Sequence, residues 1–205
     1  RLTARARLGG DPADAFTVVA PSLPGYGLSF APGQPRFSVE QIADAFATLM
    51  SETLGYRRFA TQGGDWGASI SARLGLVHAE KTIGVHLNLL PLRRDPAALV
   101  GDDDAARRYR IDLDRWLSEE TGYSTQQGTR PQTLAFALTD SPVGLAAWIV
   151  EKMRAWSDCN GDIESAFSKD EILANVSLYW FTGAIGSSFW PYYARQHGPW
   201  PISDG

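Results

Sequence analysis

From Ala15 to Leu90 the chain alternates between two hydrophobic periods, and this restricts the fold more than any other feature. "AFTVVAPSL" (15–23) is a β-branched run bounded by turn residues and predicts a strand. "PGYGLSFAPGQPR" (24–36) is punctuated by Gly and Pro and reads as a loop. In "SVEQIADAFATLMSETLG" (38–55) apolar groups recur at Val39, Ile42, Ala43, Phe46, Leu49, Met50 and Leu54, which is helical spacing. Ser38 with Gln41 makes a capping box, and Gly55 ends the helix. "RRFATQ" (57–62) is a second strand, "WGASISARLGLVHAE" (66–80) a second helix and "TIGVHLNLL" (82–90) a third strand. Strand, helix, strand, helix, strand with short links implies a parallel sheet wrapped by right-handed crossovers.

The character changes after Leu92. "DPAALVGDDDAARRYRIDLDRWLSEETG" (95–122) is charged and helical, and "DSPVGLAAWIVEKMRAWSD" (140–158) begins a helix at Ser141-Pro142. "SKDEILANVSLYWFTGAIGSS" (168–188) opens on another capping box, Ser168 with Glu171. No strand is expected between about 95 and 195, so this region reads as an all-helical insert carried on the sheet. "PWPI" (199–202) is expected to be the chain returning to the sheet.

The second strand runs straight into Gly63-Gly64-Asp65-Trp66-Gly67, and the second helix follows at once. A turn this sharp that exposes one side chain needs small residues two before and two after it; Gly63 and Gly67 stand there. This is a nucleophile elbow with Asp65 at its centre. A carboxylate so placed can attack carbon and form an ester with the protein. The Trp66 backbone N–H, free at the helix start, can bind a developing oxyanion. The competing reading is that Asp65 only caps the helix.

Other chemistries find little support. The net charge of −4 is scattered and forms no basic face for nucleic acid. "GYGLSF" has Phe30 where a dinucleotide fingerprint needs its third glycine. There is no Walker motif and no His/Cys cluster with metal spacing, so no cofactor and no metal are expected. Cys159 is the single cysteine, which points to a reducing, cytoplasmic compartment. No apolar run reaches the length of a membrane span. With 205 residues and 44% apolar side chains the chain can bury a sizeable core. The starting "RLTARARLGGDPADA" has no Met and no complete element, and "PWPISDG" stops as abruptly; both ends are expected to be cuts. Arginine greatly outnumbers lysine, which suggests a bacterial, GC-rich coding background.

"GGDWG", preceded by "APSLPGYGLS" and followed by "GVHLNLL", resembles the α/β-hydrolase-fold epoxide hydrolases, in particular the microsomal-type branch. "GYSTQQGTRPQTLAFALTDSPVGLAAWIVEKMRAW" (122–156) and "NVSLYWFTGAIGSSFWPYY" (175–193) are similar to the lid of that branch. The resemblance implies an α/β fold: a partial α/β-hydrolase parallel sheet over 1–94, a helical cap over 95–197 and the start of a return to the core over 198–205. It implies that Asp65 attacks an epoxide carbon while Tyr123 and Tyr192 hydrogen-bond the ring oxygen and donate a proton. Tyr193 is adjacent; the spacing from Ser187-Ser188 favours Tyr192. Trp66 is expected to line the pocket, and Gly63, Gly64 and Gly67 to serve the elbow. Trp148, Trp180, Phe181, Phe189 and Trp190 suggest an apolar, aryl-type substrate. The expected partners are that epoxide and water, with a homodimer as an arrangement the resemblance allows.

Two parts of the family pattern are missing. The upstream "HGxP" segment is absent, and so are the C-terminal acid and the catalytic His. His78, His86 and His197 all stand in other settings. The chain by itself is therefore expected not to turn over. A haloalkane dehalogenase with the same Asp is the nearest rival, separated by halide release and by insensitivity to Tyr123→Phe. A non-catalytic ligand-binding homologue is the rival of another class.

Overall fold

A computed structural model describes residues 2–89 and 101–198. Two strands, β1 (Phe59–Gly63) and β2 (Thr82–Leu87), form a parallel pair. Helix α1 (Val39–Thr48) precedes β1, and α2 (Trp66–Val77) crosses from β1 to β2. The ladder runs from Phe59 opposite Thr82 to Gly63 opposite Leu87, with one irregularity after Phe59. Ser38 and Gln41 form the expected capping box at α1. That helix does not stop at a glycine directly. It widens into a π-helical turn over Leu49–Thr53, and Gly55 follows with φ +77°.

The α1 stripe at Val39, Ile42, Ala43 and Ala47 packs on Phe59 of β1 and on Ile70 and Leu74 of α2. Ile42 is fully buried. This cluster fixes the crossover helix on the strand pair and so fixes the direction in which α2 begins.

One expected strand is not formed. Residues 15–23 carry no strand pairing; Pro12–Asp14 make a short 3-10 turn, and Ala15 has extended dihedrals without a ladder. A β-branched run becomes a strand only beside a partner, and among the described residues β1 and β2 pair only with each other. Phe16 and Val18 are exposed accordingly.

The region beyond is helical, with more breaks than its periodicity shows. Helices α3 (Asp104–Glu120), α4 (Gly122–Thr129), α5 (Pro131–Asp140), α6 (Pro142–Ala155), α7 (Lys169–Thr182) and α8 (Trp190–His197) follow in order. The first starts at Asp104, capped by Asp103; residues 95–100 of the expected helix, Leu90 of the expected strand and the "PWPI" return lie outside the described residues. The expected helix 168–188 ends at Thr182 because Gly183 takes the left-handed conformation, and Ser187–Phe189 then form a 3-10 turn. Ala135, Leu138, Leu145, Val176, Ile185 and Phe189 make a second core inside this helical region. Helix α8 packs on α4 within this helical region and on α1 of the sheet layer, so the two parts are in contact. No single described helix is long and apolar enough to cross a membrane.

Candidate active site

Asp65 occupies the tip of the turn between β1 and α2. Its φ of 50° with ψ of −126° is a positive-φ conformation outside the left-handed helical basin, one that a non-glycine residue adopts only under constraint, at a cost of about 1–3 kcal/mol. The constraint comes from neighbours on both sides. A Cβ at Gly63 would overlap the carbonyl group of Gly67, and one at Gly64 would lie 2.8 Å from Asn88 Oδ1. Asn88 itself is tied down, because Gln62 Nε2 donates to its Oδ1 at 2.9 Å and its N–H donates to the Gly63 carbonyl at 3.2 Å.

The expectation for Gly67 needs correction. A Cβ there would meet nothing within 4 Å; the turn needs the Gly67 backbone close to Gly63, and the smallness belongs to Gly63. Gly63→Ala should therefore lower stability by about 3 kcal/mol, the upper end for overpacking. Gly67→Ala should leave it unchanged or raise it by up to about 1 kcal/mol, since Ala is the better helix former. Denaturant melts of the two variants check this, and equal losses would contradict it.

The bond made by the carboxylate also distinguishes this turn from an ordinary cap. A capping side chain bonds the second or third helical N–H from an extended backbone. Here Asp65 Oδ1 accepts from the first, the Trp66 N–H, at 2.6 Å. The side chain is exposed, and among the described residues its second carboxylate oxygen accepts no hydrogen bond.

Two elements of the helical region bring phenols together beside the elbow. Tyr192 on α8 stands edge-on to Trp66, with ring centroids 4.9 Å apart, and edge-on to Tyr123 of α4 at 5.7 Å. Burial first, then the neighbouring Tyr123 phenol and the Asp65 carboxylate, push the Tyr192 hydroxyl far above the usual phenol range. The approach of the Trp66 indole acts the other way but does not offset them. Trp66 Nε1–H is buried without a hydrogen bond of normal geometry. Tyr193 leaves the group: it stacks on His197 at 4.0 Å and lies under Arg36.

Tyr123 is backed by a polar network. Trp156 packs edge-on to it at 5.3 Å and donates from Nε1 to Glu120 at 2.9 Å, where Lys152 also donates at 2.8 Å. These two hydrogen bonds, Lys152 first, hold the Glu120 carboxyl below its ordinary value. Tyr123 also lines a cleft of about 620 Å³ in the helical region with Gln126, Leu134, Trp148 and Lys152. Asp65, Trp66 and Tyr192 do not line this cleft.

The aromatic residues of the lid divide. Trp148 reaches the cleft; Phe189 is 1% exposed in the cap core, Trp180 packs against that core, and Trp190 stands edge-on to Phe30. Phe181 is 83% exposed and is not among the residues that line the cleft. The histidines are engaged apart from Asp65: His78 Nε2 lies 2.8 Å from Asp44, His197 Nδ1 donates to the Tyr193 carbonyl at 2.9 Å, and His86 is exposed in β2 opposite Gln62. No cluster of three metal-ligating side chains occurs among the described residues.

One residue of the site was not singled out from the sequence. Tyr26 feels the Tyr192 and Tyr179 phenols and the Asp65 carboxylate, in that order after its own burial, and its hydroxyl is pushed well above the ordinary value. Its only sequence signal is an aromatic ring between two glycines, in a loop read for its turn chemistry alone.

Residues 6–182 match the model of the alpha/beta hydrolase fold family. A Stigmatella aurantiaca (strain DW4/3-1) protein provisionally named an epoxide hydrolase is 42% identical over 180 residues, covering 88% of this chain and 41% of that protein. Epoxide hydrolase 1 of Oryctolagus cuniculus is 36% identical over 204 residues, with 89% and 44% covered. The crystal structure of juvenile hormone epoxide hydrolase from Bombyx mori superposes with a TM-score of 0.71 at 34% identity, over 85% of this chain and 46% of that one. The Aspergillus niger epoxide hydrolase structure gives 0.69 at 30% identity, over 85% and 44%. The chain thus spans less than half the length of the curated relatives it matches. With the elbow at Asp65 in place, the chain belongs to the α/β-hydrolase fold family, and the relatives it matches there are named epoxide hydrolases.

Proposed function

We propose that this chain carries the nucleophile and the proton donors of an epoxide hydrolase. The observation that supports this most is the meeting of Tyr192 with both Tyr123 and Trp66 beside the elbow carboxylate. The other carboxylate oxygen of Asp65, Oδ2, attacks an epoxide carbon. The C–O bond of the ring breaks, and its oxygen takes a proton from a phenol to become a hydroxyl. The resulting phenolate is reprotonated from water. A strained ether needs this proton because an alkoxide is a poor leaving group, and a phenol still carries one at neutral pH.

Asp65 Oδ1 becomes the carbonyl oxygen of the ester. It already accepts the Trp66 N–H, which stabilises the charge that develops there when water attacks the ester. That second step needs a general base. None of the three histidines hydrogen-bonds to Asp65. The chain as it stands should therefore stop at the ester.

Exposure to styrene oxide tests this by intact mass and peptide mapping. The expected result is one epoxide bound covalently per chain at Asp65, without sustained diol formation. No adduct, or an adduct elsewhere, would overturn the proposal. Continued diol formation would show that a base has been overlooked.

One observation favours the dehalogenase reading: the buried Trp66 Nε1–H, which makes no hydrogen bond of normal geometry among the described residues, is a donor suited to halide. Bromide release from a bromoalkane, unaffected by Tyr123→Phe, would select that reading.

A further inference from the structure

The loop Leu23–Ser29 and the cap turn Ser187–Phe189 interlock. The loop closes on itself through Gly25 N–H to the Ser29 carbonyl at 2.9 Å and Tyr26 N–H to the Leu23 carbonyl at 2.8 Å. From it the Tyr26 hydroxyl donates to the Ser188 carbonyl at 2.7 Å, across 162 residues of sequence. Beside this bond the Ser187 hydroxyl, itself buried, donates to the Gly25 carbonyl at 2.6 Å. The fit leaves no room: Gly25 has φ of +92°, and a Cβ on it would lie 2.8 Å from the Trp190 ring. Ser188 is one helical turn before Tyr192, and α8 starts in between at Trp190.

We infer that Tyr26 is a positioning residue for Tyr192: its hydroxyl, anchored on the Ser188 carbonyl, sets the turn from which α8 presents Tyr192 to Trp66 and Tyr123. This deepens the reading of Tyr192 as a proton donor and rests on it. Tyr26 belongs to the same electrostatic neighbourhood, since Tyr192, Asp65 and Tyr123 all act on its phenol. It does not act as a third acid, because its proton is spent on a backbone carbonyl. Burial keeps that proton in place, so the anchor persists throughout the range in which Tyr192 could donate.

Tyr26→Phe keeps the ring and removes only the anchor. The expected result is a fall of about tenfold or more in the maximal rate of epoxide capture, with the half-saturating concentration within about twofold, as for a reacting group displaced rather than lost. Ser187→Ala is the companion variant: it removes the neighbouring bond to Gly25 and leaves the Ser188 carbonyl paired. It should lower stability while changing the maximal rate less than about threefold. Rates that fall in step with stability in both variants would make Tyr26 a mere clasp and overturn the inference. So would an unchanged maximal rate in Tyr26→Phe. If the unaltered protein captures no epoxide, the reading of the reaction fails, and amide hydrogen exchange decides the anchor separately. Exchange over residues 189–193 that is at least about fivefold faster in Tyr26→Phe supports it, and unchanged exchange overturns it.

Discussion

Asp65→Asn removes covalent capture of an epoxide by at least about 10⁴-fold, in the range seen when a nucleophile is deleted, while the fold stays intact. The two parts of this expectation have separate causes. An amide nitrogen or amide oxygen does not attack carbon as a carboxylate does, so the ester cannot form. The amide oxygen, however, still accepts the Trp66 N–H that Asp65 Oδ1 accepts at 2.6 Å. Asparagine also has the size and shape of aspartate, so it meets the same positive φ with no new steric demand. Asp65→Ala would confuse the test, because it removes the acceptor and leaves a strained φ uncompensated. Intact-mass kinetics beside a thermal melt check both parts. Capture at an unchanged rate in Asp65→Asn would place the nucleophile elsewhere. Loss of capture together with loss of folding would mean that the elbow depends on the charge.

The elbow was legible because its requirement is local: the Gly63 side of the turn leaves no space for a side chain, and five consecutive residues record that. The helix starts at Ser38 and Ser168 were legible for the same reason, since each capping box closes within three residues. The unformed strand at 15–23 was not. Its β-branched pattern is correct for a strand, but a ladder partner is a property of the whole sheet. The break between α4 and α5 falls at Arg130-Pro131, where proline bars a continuing helix; the signal was present and was merged into a longer lid motif. Tyr26 could not be found by spacing at all, because its partner Ser188 lies 162 residues away. The choice between Tyr192 and Tyr193 rested on spacing from the serine pair, and the packing explains why two adjacent tyrosines differ. On a helix they point about 100° apart, which turns Tyr192 to Trp66 and Tyr193 to His197.

Removing the two phenols should therefore give unequal losses. Tyr192→Phe is expected to slow capture by about 10²–10³-fold, the range for one preorganised donor. Tyr123→Phe should cost less, about tenfold to 10²-fold, because Tyr123 also borders an open cleft where water can compete for the ring oxygen. The double variant should lose less than the product of the two, since both donors serve one oxygen. The pH dependence follows from the sign of the shift. A phenol whose value is raised holds its proton longer, so Tyr192 still donates near pH 10, where an ordinary phenol is half ionised. Capture limited by Tyr192 should stay level up to that point. Folding should weaken instead: above about pH 10 the unfolded chain ionises its tyrosines while buried Tyr26 and Tyr192 resist, and the stability present below that value is lost. A capture rate that falls well below pH 10 in the folded protein would contradict the burial of the donor. A rate that collapses in Tyr193→Phe and survives in Tyr192→Phe would show that the proton comes from the other tyrosine, and that the contact between Tyr192 and Trp66 serves packing alone.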